Sequence, residues 1–255
     1  MILLLAGTSD ARALAVQVKK AGHEVTATVV TENAAIELQR AEVKVKIGRL
    51  TKEDMMDFVN EHRVKAIVDA SHPFAEEASK NAIGAAAETA IPYIRYERAS
   101  QAFAYDNMTM VSTYEEAAEV AAEKKGVIML TTGSKTLQVF TEKLLPLSDV
   151  RLVARMLPRL DNMEKCQQLG FPQKNIIAIQ GPFTKEFDRA LYKQYGVTVM
   201  VTKESGKVGS VDEKVEAAKE LGLDIIMIGR PKIEYGTVYS TFEEVVHALV
   251  NQNRS

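Results

Sequence analysis

The chain has 255 residues, 46% apolar and 26% charged, with a net charge of −2. That is a globular balance, sufficient for one large or two small domains, and it supplies no overall basic field for nucleic acid. A single cysteine, Cys166, excludes an internal disulfide or a cysteine metal cluster, and the four histidines (His23, His62, His72, His247) lack zinc-type spacing. A cytoplasmic protein without a structural metal is expected.

"MILLLAG" is too short for a membrane span and lacks a basic flank, so it reads as a buried first strand, 1–6. "AGTSDAR" follows and opens a helix pattern over 9–21. Gly7 lets the backbone approach a phosphate, helix-start N–H groups can bind it, and Thr8, Ser9 and Arg12 add donors and charge. The full dinucleotide fingerprint needs three glycines, so a plain capped turn remains open. The second strand, 24–30, ends at Thr31 and Glu32, where a ribose-reading group belongs. This pair leaves the choice between NADPH and NADH undecided.

Strand 43–47, helix 51–62 and strand 65–69 come next. "DASHPF" then leads into a helix over 75–90, with Pro73 as a candidate first helical residue and His72 or Ser71 near its cap. Among the four histidines, only His72 stands at a strand's carboxyl end, where proton transfer or a carboxylate contact is expected. Strand 92–95 closes this half with "RYER". "ASQAFAYDN" (99–107) then breaks the periodicity.

The second half repeats the alternation, with strands at 108–111, 126–131, 150–154, 175–179, 197–201 and 224–228. Its helices are expected at 113–124, 134–144, 184–195, 210–221 and 240–250, the last able to pack on either half. Strands alternating with helices of this length mean βαβ units and parallel sheets. "IGRLTKEDMMDFVNEHRVKAIVDASHP" (47–73) can be laid on "QGPFTKEFDRALYKQYGVTVMVTKES" (180–205), and "MILLLAGTSDAR" on "VIMLTTGSKTL". Two similar domains are therefore expected, 1–99 and 108–255.

Ligands of open parallel sheets bind outside the carboxyl ends of the strands. Those corners gather Arg49, Arg95, Arg98, Arg155, Arg159, Lys203 and Arg230, a rim suited to a polyanion; strand-end arginines that merely cover apolar edges are the plainer alternative. "TTGSK" (131–135) and "TKESGKVGS" (202–210) are the second half's hydroxyl- and glycine-rich turns.

"LLLAGTSDARALA", "VDASHPFA", "IIAIQGPF" and "VTKESG…KVEAAKELGLDIIMIGRP", in this order, make the chain resemble the precorrin-6A reductase family of cobalamin biosynthesis, metal-free or cobalt form, over essentially its whole length. The resemblance implies an α/β fold of two Rossmann-like open parallel-sheet domains with a ligand cleft between them. It also implies hydride transfer from NADPH or NADH to a double bond of a polycarboxylate tetrapyrrole. By motif position, Gly7, Thr8, Ser9 and Arg12 would hold the pyrophosphate side of the cofactor. Thr31 would stand by the ribose, and Gly133 and Ser134 would join from the second domain. Asp69 and His72 would be catalytic. Arg95, Arg98, Arg155, Lys203, Glu204, Ser205 and Arg230 would meet substrate. A non-redox two-domain binding protein or a nucleotide-sugar transferase shares this layout, and dinucleotide binding separates them.

Overall fold

The computed structural model describes residues 1–98, 105–204 and 212–252. Its elements run β1 (Ile2–Leu5), α1 (Ser9–Lys20), β2 (Val25–Val29), α2 (Glu32–Arg40), β3 (Lys44–Ile47), α3 (Lys52–His62), β4 (Ala66–Asp69), α4 (Glu76–Glu88) and β5 (Tyr93–Tyr96). Then come β6 (Met108–Val111), α5 (Tyr114–Lys124), β7 (Gly126–Leu130), α6 (Leu137–Leu144), β8 (Val150–Met156), α7 (Leu160–Gln168), a 3-10 turn, and β9 (Ile176–Ala178). The chain ends with α8 (Lys185–Tyr195), β10 (Val199–Lys203), α9 (Glu213–Glu220), β11 (Asp224–Ile228), β12 (Val238–Tyr239) and α10 (Phe242–Gln252). All eleven expected strands form. Helices α2 and α7 and the short β12 were not expected.

Two compact units result, Met1–Ala99 with Pro231–Ser255, and Ser100–Arg230. Residues 231–255, expected in the second domain, therefore belong to the first. There β12 pairs in parallel with β5, and Val245 and Leu249 of α10 bury themselves in the core beneath α1 and α2.

Each unit is built on a six-stranded parallel sheet. The orders are β12-β5-β4-β1-β2-β3 and β6-β11-β10-β7-β8-β9. Laying β1 on β7 matches β2 to β8, β3 to β9, β4 to β10 and β5 to β11, the repeat that the sequence alignment anticipated. The inner strands β1, β4, β7, β10 and β11 are apolar on both sides because helices cover both faces. In the first sheet, Ile2 and Leu4 of β1 face α1, α2 and α10, while Leu3 and Leu5 face α3 and α4. In the second, Met129, Met200, Ile225 and Met227 pack with Tyr192 of α8 and Val215 of α9. Among the described residues no helix is long and apolar enough to cross a membrane.

This strand order fixes where ligands can go. In each sheet the chain winds outward in both directions from one central pair, β1/β4 or β7/β10, and the crevice outside such a switch point is the usual ligand site.

Candidate active site

In the first unit, β1 delivers the chain to Gly7 and β4 delivers it to Asp69, with Leu5 level with Asp69 and the Ala70 N–H bonded to Leu5 O. The glycine turn and the "DASHPF" corner are therefore neighbours at the switch point. Thr8 caps α1, its Oγ1 accepting the Ala11 N–H at 3.1 Å, as a threonine before a helix should. Gly7 lies outside the left-handed region, and a Cβ built on it would meet nothing within 4 Å. Among the described residues no contact calls for glycine there, and the open space can admit a ligand phosphate. Ser9 is exposed as the first residue of α1. Asp10 would repel phosphate, but Arg98 ion-pairs with it and cancels its charge. The Arg12 Nε donates to Glu37 on α2 at 2.6 Å, so its charge is partly spent. Thr31, exposed, caps α2. The first rim thus suits a dinucleotide, with Gly7, Thr8 and Ser9 as the residues that fit it.

The "DASHPF" corner is held from beneath. Asp69 is fully buried; its Oδ1 accepts Ser71 N–H at 3.0 Å and Ser71 Oγ–H at 2.6 Å, and its Oδ2 accepts Tyr93 Oη–H at 2.7 Å. Arg95 Nη1 lies 3.0 Å from the same carboxylate, and neither side chain has any exposure. Burial pushes the Asp69 carboxyl up, but Arg95 and the Ser71 and Ser79 bonds outweigh it and hold the group below its ordinary value. Burial and the Asp69 charge together raise Tyr93. Arg95 Nε donates to Glu97 at 2.9 Å, and the guanidinium stacks 4.7 Å from the Tyr235 ring, which arrives from the returning C-terminal segment.

Two expectations change here. Asp69 was expected to be catalytic, and Arg95 to meet substrate. Each is instead sealed from solvent and committed to the other, and a carboxylate without access cannot exchange protons with a ligand. Both are posts that fix Ser71 and hence His72. Tyr93, Ser79 and Tyr235 complete this support and were not anticipated.

His72 remains at the rim, partly exposed. Its Nδ1 accepts the Phe74 N–H at 3.2 Å, which in the neutral ring puts the proton on Nε2. The expected cap role does not hold. Ala75 N–H bonds to His72 O, closing a turn with Pro73 at its second position, and α4 begins only at Glu76, with Ala75 as its N-cap.

In the second unit, β7 opens into Thr131–Thr136. Gly133 takes a φ of +78°, where a side chain would be strained, with open space at its Cβ. Ser134 Oγ donates to Asn162 Oδ1 of α7 at 2.5 Å. Arg155, expected to meet substrate, is buried against Asp188 of α8 and lies 4.3 Å from the Phe183 ring. Burial pushes Asp188 up and Arg155 pulls it back. Lys203 ends β10, half-buried, its amine pushed down to about 8 by burial and then by the charges of Lys214 and Lys135. Glu204 and Arg230, from adjacent strand ends, lie 3.5 Å apart. Ser205 falls outside the described residues.

Two parallel α/β sheets, each with a loop-lined switch point, and a glycine cradle at the first define a Rossmann-like protein of two units. The comparisons with known proteins narrow this. The sequence profile described as "CbiJ: Precorrin-6x reductase CbiJ/CobK" matches residues 1–250. The chain is 96% identical, over the full length of both, to the cobalt-precorrin-6A reductase of Priestia megaterium. It is 34% identical to that of Methanothermobacter thermautotrophicus, covering 97% of this chain and 84% of that one. A solved CobK precorrin-6A reductase superposes with a TM-score of 0.78 at 24% identity, over 98% of this chain and 96% of that one, which shows the fold. The chain belongs to this family, the precorrin-6A reductases of cobalamin biosynthesis.

Proposed function

We propose that the protein reduces a carbon–carbon double bond of the cobalt-precorrin-6A macrocycle at the expense of a nicotinamide dinucleotide. The observation that carries this reading is the pairing at the first switch point: an open glycine turn at a helix start, beside a rim histidine held in one orientation. Bound NADH or NADPH supplies the hydride.

Gly7, Thr8 and Ser9 hold the pyrophosphate through the free N–H groups of α1, with Arg12 adding charge one turn on. Thr31 stands on the ribose side. Gly133 and Ser134 are the corresponding residues of the second switch point. His72 would present Nε2 to the carbon that becomes electron-rich as its neighbour takes the hydride; a solvent proton taken up at Nδ1, at the expense of the Phe74 bond, makes the ring an imidazolium that can give up the Nε2 proton and return to neutral, which completes the dihydro product. Asp69 and Arg95 serve that step by fixing the His72 loop. Lys203 and Arg230 meet substrate carboxylates, with Glu204 orienting Arg230, while Arg98, expected at the substrate, is held by Asp10. Ser205 belongs to the same set by its motif position. The cobalt-bearing substrate is favoured by the name of the 96% identical relative.

Two measurements test the reading. NADH or NADPH should raise the melting temperature and change its own fluorescence on binding; no response to either dinucleotide sinks the reductase assignment. His72→Asn keeps an acceptor for the Phe74 N–H, so it should leave dinucleotide affinity unchanged while lowering kcat by roughly 10²–10⁴-fold. Unchanged turnover would remove His72 from the chemistry.

A further inference from the structure

We propose that Tyr235, on the returning C-terminal segment, is a positioning residue for the proton step: its ring seals the Asp69–Arg95 pair from water and so keeps the Ser71–His72 turn in one arrangement. This deepens the reading above, on which it rests only for what His72 does.

Sheet register brings the ring there. β12 adds in parallel to β5, with Val238 level with Arg95 and Tyr239 level with Tyr96. Arg95 N–H donates to Thr237 O and Glu97 N–H to Tyr239 O, both at 2.9 Å. Gly236, at a φ of +73°, stands between this ladder and Tyr235, a left-handed turn that glycine takes without strain. Beyond it the Tyr235 ring lies over the Arg95 guanidinium, 4.7 Å from centre to centre. Downstream the segment is anchored: Phe242 packs on Tyr96 with ring centres 5.1 Å apart, and Val245 and Leu249 are buried in the core.

Arg95 needs that cover. Its Nε is committed to Glu97 and its Nη1 to Asp69 and Ser71, while Nη2, equally buried, has no hydrogen-bond partner among the described residues. Buried polar groups are almost always satisfied, and the π face of Tyr235 gives the guanidinium a partner of the right sign. Without the ring, water reaches the pair, and an ion pair in water holds its side chains only weakly. Two chains of contact carry that loosening to His72. Asp69 Oδ1 accepts both the N–H and the Oγ–H of Ser71, at 3.0 and 2.6 Å. The Tyr235 hydroxyl faces Ser79, whose Oγ lies 3.4 Å from Ser71 Oγ. Both end on the residue before His72. Because His72 Nδ1 accepts the Phe74 N–H across the same turn, the turn's geometry decides which ring nitrogen carries the proton.

The test reads the His72 ring directly. Heteronuclear NMR of the histidine side chains in the full chain, in mildly alkaline buffer, should show wild-type His72 as the Nε2–H tautomer; its signals are identified by their loss in His72→Asn. In Tyr235→Ala that signature should move to a mixture of tautomers. Turnover of cobalt-precorrin-6A should fall roughly tenfold in kcat, with dinucleotide affinity kept within about twofold. Tyr235→Phe keeps the ring, so its tautomer should be that of wild type and its kcat within about threefold. Circular dichroism confirms that each variant is folded. Should Tyr235→Ala not fold, the same shifts are expected of Tyr235→Leu, which fills the space but offers the guanidinium no π face. A folded Tyr235→Ala with the wild-type imidazole signature overturns the proposal, whatever its melting temperature, because a merely structural tyrosine would lower stability and leave the ring as it is. Tyr235→Phe shifted as far as Tyr235→Ala overturns it too. If His72→Asn leaves turnover unchanged, the proton-donor reading of His72 falls, while the imidazole signature still decides the role of Tyr235.

Discussion

Replacing Asp69 with Asn is the sharpest probe of how the rim is built. The substitution keeps size and hydrogen-bonding shape but deletes a charge that sits 3.0 Å from the Arg95 guanidinium, with both groups sealed from solvent. Removing one member of such a pair strands the other and typically costs about 3–5 kcal/mol. Arg95 keeps Glu97 at 2.9 Å and the Tyr235 ring, so the lower end, about 3 kcal/mol, is expected from the shift of the urea midpoint at unchanged slope. The asparagine can still accept from Ser71 through its Oδ1, but without charge, and the Nδ2 that replaces Oδ2 can no longer accept the Tyr93 hydroxyl, so the loop is held less firmly and turnover should fall while dinucleotide affinity, which depends on the Gly7 turn, holds. Asp69→Asn combined with Arg95→Met should recover part of the stability, because the fully buried pair is removed whole and only Glu97, 15% exposed, gives up a partner, but not the turnover. A single variant within about 0.5 kcal/mol of wild type would refute the claim that this pair is the post beneath His72.

Gly7→Val adds a side chain into open space at a turn that needs no left-handed backbone; melting temperature should barely move while NADH and NADPH binding is lost. Gly126→Ala should destabilise by about 1–3 kcal/mol in urea titration, because φ is +80° and the new Cβ would lie 2.5 Å from Thr198 Oγ1. Lys203, at about 8 folded and near 10.5 unfolded, is protonated more readily in the unfolded chain between those values, so its contribution to stability rises with pH from about 8 to 10.5. Compared with Lys203→Met at pH 7 and pH 10, wild type should therefore close the stability gap at the higher pH; a constant gap would refute the lowered pKa.

The alternation of strand and helix, the parallel sheets and the repeat were all legible, because strands covered on both faces are short continuous apolar runs. Helices α2 and α7 escaped because they are nine residues long and bury only two side chains each, Ala35 and Leu38, and Asn162 and Cys166. The C-terminal return escaped because β12 is two residues long. At the site, the sequence located the strand-end corners of the two switch points but not the state of their charges. Asp69 and Arg95 are 26 positions apart, and only the β4–β5 register, which sets them level, turns a catalytic acid and a carboxylate clamp into one buried pair. Arg155 is taken out of reach in the same way, by Asp188 on the helix packed over its sheet. His72 and Lys203 remained partly open, because each lies just beyond or at the last residue of a strand flanking a switch point.

The central claim is tested most directly by an anaerobic assay of wild type with cobalt-precorrin-6A, NADH and NADPH, following dinucleotide absorbance and the mass of the tetrapyrrole together. One equivalent of dinucleotide should be oxidised per macrocycle, with a gain of two hydrogens in the product and no turnover when the dinucleotide is omitted. A macrocycle that stays unreduced while the protein binds both partners would contradict the account and leave a binding protein in its place.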